Sequence, residues 1–144
     1  MLMIEQLLKE GYSLIPLKDR KPVIKWEKYQ TEKATIKEIF GWFQEFGDIN
    51  LGIVTGNISR LVVIVVNDKK QLAVLEGKIL NLWDTCRVRS PELGYQFYYS
   101  LENGERVKSV KKLFGLKGVE LKGEGSFVVA PEEVEYPSWF SQRT

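Results

Sequence analysis

Six consecutive residues, Leu61-Val-Val-Ile-Val-Val66, are aliphatic, and all but the first are branched at Cβ. Branching at Cβ favours the pleated strand over the helix. A strand with no polar position has no face to give to water, so this segment predicts the centre of a sheet covered on both sides. It is far shorter than the ~20 apolar residues of a membrane span. The rest of the chain must therefore supply the covering layers.

It has the patterns to do so. Ile4, Leu7 and Leu8 recur at helical spacing before Gly11, and Tyr12 to Leu17 reads as a strand closed by Pro16 and a polar loop from Lys18 to Pro22. Thr35 with Glu38 fits a capping box, and Ile36, Ile39, Phe40, Phe43 and Phe46 give a helix one apolar face up to Gly47. Leu51 to Val54 predicts a further strand. Asp68 with Gln71 can cap a third helix carrying Leu72, Leu75, Ile79 and Trp83. The pattern then changes to period two. Cys86–Arg89 and Tyr95–Tyr99 read as a hairpin, Asn103-Gly104 as a tight turn, and Val119–Lys122 with Ser126–Val129 as a second hairpin across Gly123-Glu124-Gly125. Helices alternating with strands, then mostly strands, predict a mixed α+β fold in one domain over residues 1–144.

Composition narrows the chemistry. The chain has 144 residues, no histidine and one cysteine, Cys86. Sites built on imidazole or paired thiolates are excluded, including zinc centres of mixed Cys and His and Ser-His or Cys-His nucleophiles. A metal would have to sit on carboxylates, which suits Mg²⁺, Mn²⁺ or Ca²⁺. The lone cysteine and an N-terminus without a secretory pattern predict a cytoplasmic protein. The net charge of +2 says little about partners. Its distribution says more: Arg106, Lys108, Lys111, Lys112, Lys117 and Lys122 face only Glu120 within residues 106–122, whereas Glu132, Glu133 and Glu135 follow. The stretch is either a solvated lysine-rich surface or a nucleic-acid contact.

Single motifs are weak. Gly123-Glu124-Gly125 is a turn rather than a phosphate cradle, Tyr95, Phe97, Tyr98 and Tyr99 suit a core strand better than base stacking, and Trp26, Trp42, Trp83 and Trp139 suit packing. Blocks in order carry more. Gly11-Tyr-Ser-Leu-Ile-Pro-Leu17 with Lys21-Pro22, Lys25-Trp26 and Tyr29-Gln30, then Asn50-Leu-Gly-Ile-Val-Thr-Gly56 with Leu61-Val-Val, then Val88-Arg-Ser90 through Gly94 to Tyr98-Tyr99, then Gly118-Val-Glu-Leu-Lys-Gly123 with Phe127-Val-Val-Ala-Pro131, run in sequence. Together they resemble the bifunctional primase-polymerase (prim-pol) domain of the archaeo-eukaryotic primase superfamily, which serves plasmid, viral and mobile-element replication proteins.

That resemblance implies an αβ unit packed beside an RRM-like sheet, a cleft between them, and metal-dependent nucleotidyl transfer. It also exposes departures. Where active members carry two alternating acids that share two metal ions about 3.5–4 Å apart, this chain has Val65 and Asn67. Gln96 replaces a phosphate-contacting histidine, and Glu92 stands in a loop that the family keeps basic. Glu120 keeps the third acid, with Lys122 beside it. The expected catalytic and metal sites are therefore absent, with Asp68 and Glu120 the only weak metal candidates and Mg²⁺ or Mn²⁺ relevant only to residual activity. The resemblance places nucleic-acid or nucleotide contacts on Arg89, Ser90, Arg106, Lys108, Lys111, Lys112 and Lys122. The expectation is a catalytically inactive accessory factor that binds single-stranded or primer-template DNA, or nucleotides, in replication or primer synthesis. Two alternatives stand beside it: a docking subunit for a primase, polymerase or helicase, and a residual nucleotidyltransferase. No membrane partner is expected.

Overall fold

The computed structural model describes residues 2–90 and 94–131. The expected joint of the first hairpin at residues 91–93, Trp139 and the acidic Glu132, Glu133 and Glu135 lie outside the described residues. Helix α1 (Leu2–Lys9) turns through Gly11, at φ 83°, into strand β1 (Ser13–Lys18), which pairs with the short β2 (Lys21–Pro22). Helix α2 (Ile36–Phe46) opens on the predicted capping box: Glu38 N–H donates to Thr35 Oγ1 at 3.1 Å and Thr35 N–H donates to Glu38 Oε1 at 3.0 Å. Strands β3 (Asn50–Val54) and β4 (Leu61–Val66) follow, then helix α3 (Leu72–Glu76) and strands β5 (Cys86–Ser90), β6 (Gly94–Ser100), β7 (Val119–Lys122) and β8 (Phe127–Val129).

These strands form two antiparallel sheets rather than one. The first has the order β2-β1-β3-β8 and the second β5-β6-β4-β7. In the second sheet the first strand, β4, lies inside between the third and the fourth, the order of a split βαβ unit, as an RRM-like sheet requires. All six β4 residues are buried. Val63 and Val65 join a core with Leu14, Ile15, Ile39 and Trp42, while Ile64 and Val66 face the opposite core with Leu75, Leu82 and Phe97. The apolar run is thus covered on both sides, and the fold is mixed α+β.

Two expectations need correction. The third helix stops at Glu76 because Gly77, costly inside a helix, follows it. Trp83 reaches the same core from a 3₁₀ turn at Leu82–Asp84, edge-on to Phe97 with ring centroids 5.2 Å apart. Nor do β7 and β8 form a hairpin: β7 pairs with β4 and β8 with β3, so residues 123–126 cross from one sheet to the other. The connecting backbone groups are taken by distant partners. Thr55 Oγ1 donates to the Gly123 carbonyl at 2.6 Å, Thr55 N–H donates to the Ser126 carbonyl at 3.0 Å, and Glu124 N–H donates to the Val107 carbonyl at 2.7 Å.

Candidate functional site

Cross-strand partners on one row of a sheet share a face. Register places Val88, Gln96, Val65 and Glu120 on one such row across β5, β6, β4 and β7, and Cys86, Tyr98, Val63 and Lys122 on the next row of the same face. Asn67, two residues beyond Val65, continues that face. All four positions singled out from the sequence, Val65, Asn67, Gln96 and Glu120, line a cleft of about 180 Å³ together with Lys122, Arg20 and residues Phe127, Val128 and Val129 of β8. The cleft thus lies where the two sheets meet.

Its polar groups are tied to one another. Glu120 Oε2 lies 2.9 Å from Lys122 Nζ, with both side chains about one-third exposed. Gln96 is buried, and its Oε1 accepts a hydrogen bond from the Tyr98 hydroxyl at 3.3 Å. Burial pushes the Tyr98 phenol well above its ordinary pKa, so the hydroxyl remains a donor at neutral pH. Val65 is 7 % exposed and offers no lone pair.

Arg20 arrives from the other sheet, and the sequence reading missed it. The polar loop after β1 is a two-residue hairpin turn in which Leu17 pairs with Pro22 and Lys18 with Lys21. Asp19 and Arg20 have φ of 51° and 65°, as a type I′ turn requires. Such turns usually carry glycine or asparagine. A short extended run closing on Lys-Pro was the available signal, but Asp-Arg is not a usual sequence for that turn.

The family model described as bifunctional DNA primase/polymerase, N-terminal (Prim-Pol), matches residues 4–141. The chain belongs to the Prim-Pol family. No curated protein gives a match. The match makes this a primase/polymerase-like protein of a family whose partners are DNA and nucleotides, and the cleft is where the resemblance places the chemistry of a Prim-Pol domain.

The donor set of this Prim-Pol cleft does not fit a pair of divalent ions. Among the described residues, Glu120 is the one carboxylate in the lining, and the ammonium of Lys122 already lies against it. Asp68 is not in the lining; its Oδ1 accepts the Lys70 N–H at 3.0 Å and caps the turn at Lys69–Gln71. Among the described residues, no three of His, Cys, Asp or Glu form a group able to hold a metal ion.

Of the predicted binding residues, only Lys122 is among the described residues that line the Prim-Pol cleft. Arg89 pairs with Tyr95 and lies on the opposite face, its guanidinium 5.9 Å from the Tyr95 ring centroid, and Ser90 ends β5 opposite Gly94. Arg106 is ion-paired to Glu124 at 3.3 Å. Lys108 and Val110 bridge along the free side of β7, to Glu124 and Leu121, which leaves Lys108, Lys111 and Lys112 exposed outside the cleft. No helix among the described residues is long and apolar enough to cross a membrane.

Proposed function

We propose that this Prim-Pol protein binds DNA or nucleotides without transferring nucleotidyl groups, as an accessory factor in replication or primer synthesis. The observation that carries this reading is the ion pair between Glu120, on the row that also holds Val65 and Gln96, and Lys122 on the next row of the same face. Two-metal transfer needs carboxylates that clamp both ions. Here one carboxylate is neutralised by a lysine, and Arg20 adds a further cation to the wall. Lysine and arginine side chains suit phosphate, and such binding requires neither Mg²⁺ nor Mn²⁺. Among the described residues of the lining, Arg20, Asn67, Gln96, Glu120 and Lys122 are polar or charged, which supports a ligand site.

The test is primer extension and de novo primer synthesis with Mg²⁺ and with Mn²⁺, alongside binding of single-stranded DNA and deoxynucleoside triphosphates across a salt series. The expected outcome is no product, with binding that survives a chelator and weakens steeply as salt rises. Product formation abolished by Glu120→Ala or Asp68→Ala would establish the residual-enzyme reading instead.

A further inference from the structure

We infer that the loop at residues 111–118 is a stacking platform for single-stranded nucleic acid, with Phe114 receiving a base. The inference rests on the nucleic-acid reading above but concerns a surface outside the cleft. The loop reads Lys-Lys-Leu-Phe-Gly-Leu-Lys-Gly, with three cations and no acid. Leu113 and Leu116 anchor it by packing against the core of Ile64, Val66, Phe97 and Val119. Phe114, between them, points outward and is 50 % exposed. Its backbone is left-handed, φ 54° and ψ 24°, a conformation that bulky residues rarely adopt. The chain therefore holds a phenylalanine in an unfavourable backbone while leaving half its surface in water. Core packing does not account for that, whereas presentation of a ring to a planar ligand does.

The surroundings match one class of ligand. Lys78 Nζ, from the turn after α3, lies 5.6 Å from the Phe114 ring centroid, and Lys111, Lys112 and Lys117 are exposed on the same loop. Cations around an exposed ring are the arrangement that holds a phosphate backbone while a base stacks. The loop is also fastened to the cleft, since Asn67 N–H donates to the Gly118 carbonyl at 2.7 Å and Asn67 lines the cleft.

Fluorescence anisotropy with labelled oligo(dT) and oligo(rU) tests the platform in the full chain. Phe114→Asn removes the ring but tolerates the left-handed backbone, so its thermal midpoint should not fall, while its affinity should drop about fivefold or more. Phe114→Trp should keep the affinity and show emission quenched by the oligonucleotide beyond that of the wild type. Phe40, exposed on α2, is the control, and Phe40→Asn should bind as the wild type does. Wild-type affinity in Phe114→Asn, or an equal loss in Phe40→Asn, overturns the platform. If Arg20→Gly and Lys122→Gln lose affinity while Phe114→Asn does not, the cleft reading survives without the platform; the reverse pattern leaves the platform without the cleft. A wild-type chain that binds neither oligonucleotide at low salt ends both.

Discussion

Replacing Arg20 by glycine separates what the turn costs from what the side chain does. Arg20 occupies the second central position of the Asp19-Arg20 turn at φ 65°, where an L-residue carries about 1–2 kcal/mol of left-handed strain. Glycine removes that strain but gives the unfolded chain more freedom, worth ~0.4–1 kcal/mol in the opposite direction. The two backbone effects leave about 0–1.6 kcal/mol in favour of glycine, from which loss of the side chain's own intramolecular interaction subtracts, so the thermal midpoint should shift by no more than ~5 °C. Ligand binding should respond quite differently. A charge-assisted hydrogen bond to phosphate contributes about 1.5–3 kcal/mol, so its loss weakens binding roughly 10- to 100-fold. Loss of one cation also lowers the salt slope for a single strand by about 0.7.

The assay is anisotropy of a single-stranded oligonucleotide at several salt concentrations, paired with thermal melting of the same samples. Arg20→Lys should restore the salt slope because it returns the charge, although not the forked donor geometry. An unchanged affinity and slope in Arg20→Gly would refute the assignment of Arg20 to the ligand. Weak binding accompanied by a collapsed midpoint would refute the argument that turn and site are separable.

Three further outcomes follow from the structure. Tyr29 is buried, its hydroxyl donates to Glu38 Oε2 at 2.5 Å, and desolvation followed by that bond raises its pKa from 10.0 to about 12. A raised pKa stabilises the fold below pH ~10 and loses roughly 2–3 kcal/mol as pH climbs through the folded value, a loss that Tyr29→Phe should remove from a denaturation series. The Tyr29 hydrogen bond in turn lowers the Glu38 pKa, so the same pair stabilises above the ordinary carboxylate range and weakens as acid titrates Glu38. Val65→Asp buries a carboxylate directly opposite Glu120 and should cost about 2–4 kcal/mol in urea denaturation, with an unchanged midpoint contradicting the register described. Thr55→Val leaves the buried Gly123 carbonyl without its donor and should cost ~1–3 kcal/mol; no loss would mean that the crossover between sheets does not depend on that bond.

What could be read from the sequence divides by the range of the interactions involved. The α2 capping box and the doubly covered β4 are set by residues three or four apart and by an unbroken apolar run, and both are found as expected. Period two also placed Val65, Gln96 and Glu120 on one face, because alternation fixes facing once two strands pair. By the same alternation, Arg89 lies opposite to Val88 and away from the cleft. The crossover at residues 123–126 depends on Thr55 and Val107, 68 and 17 positions away along the chain, so a glycine-flanked turn looks locally like a hairpin. The place of Arg20 in the cleft was not legible because the local rule for its turn asks for glycine or asparagine. Of the two turn residues at positive φ, Arg20 lines the cleft and Asp19 does not.

The charge pattern of the cleft links its departures to one another. Carboxylates in a two-metal site balance the charge of the ions they hold, and basic neighbours balance the phosphates. Putting Val65 and Asn67 where the resemblance places acids removes anions without removing Lys122 or Arg20. The remaining acid then pairs with a neighbouring cation, as Glu120 does with Lys122 at 2.9 Å. On the proposed reading, phosphate enters such a cleft without a divalent ion. Loss of metal chemistry and retention of phosphate affinity are, on that reading, two results of the same exchange, which is why binding that persists in a chelator is the sharpest discriminator between an accessory factor and an enzyme.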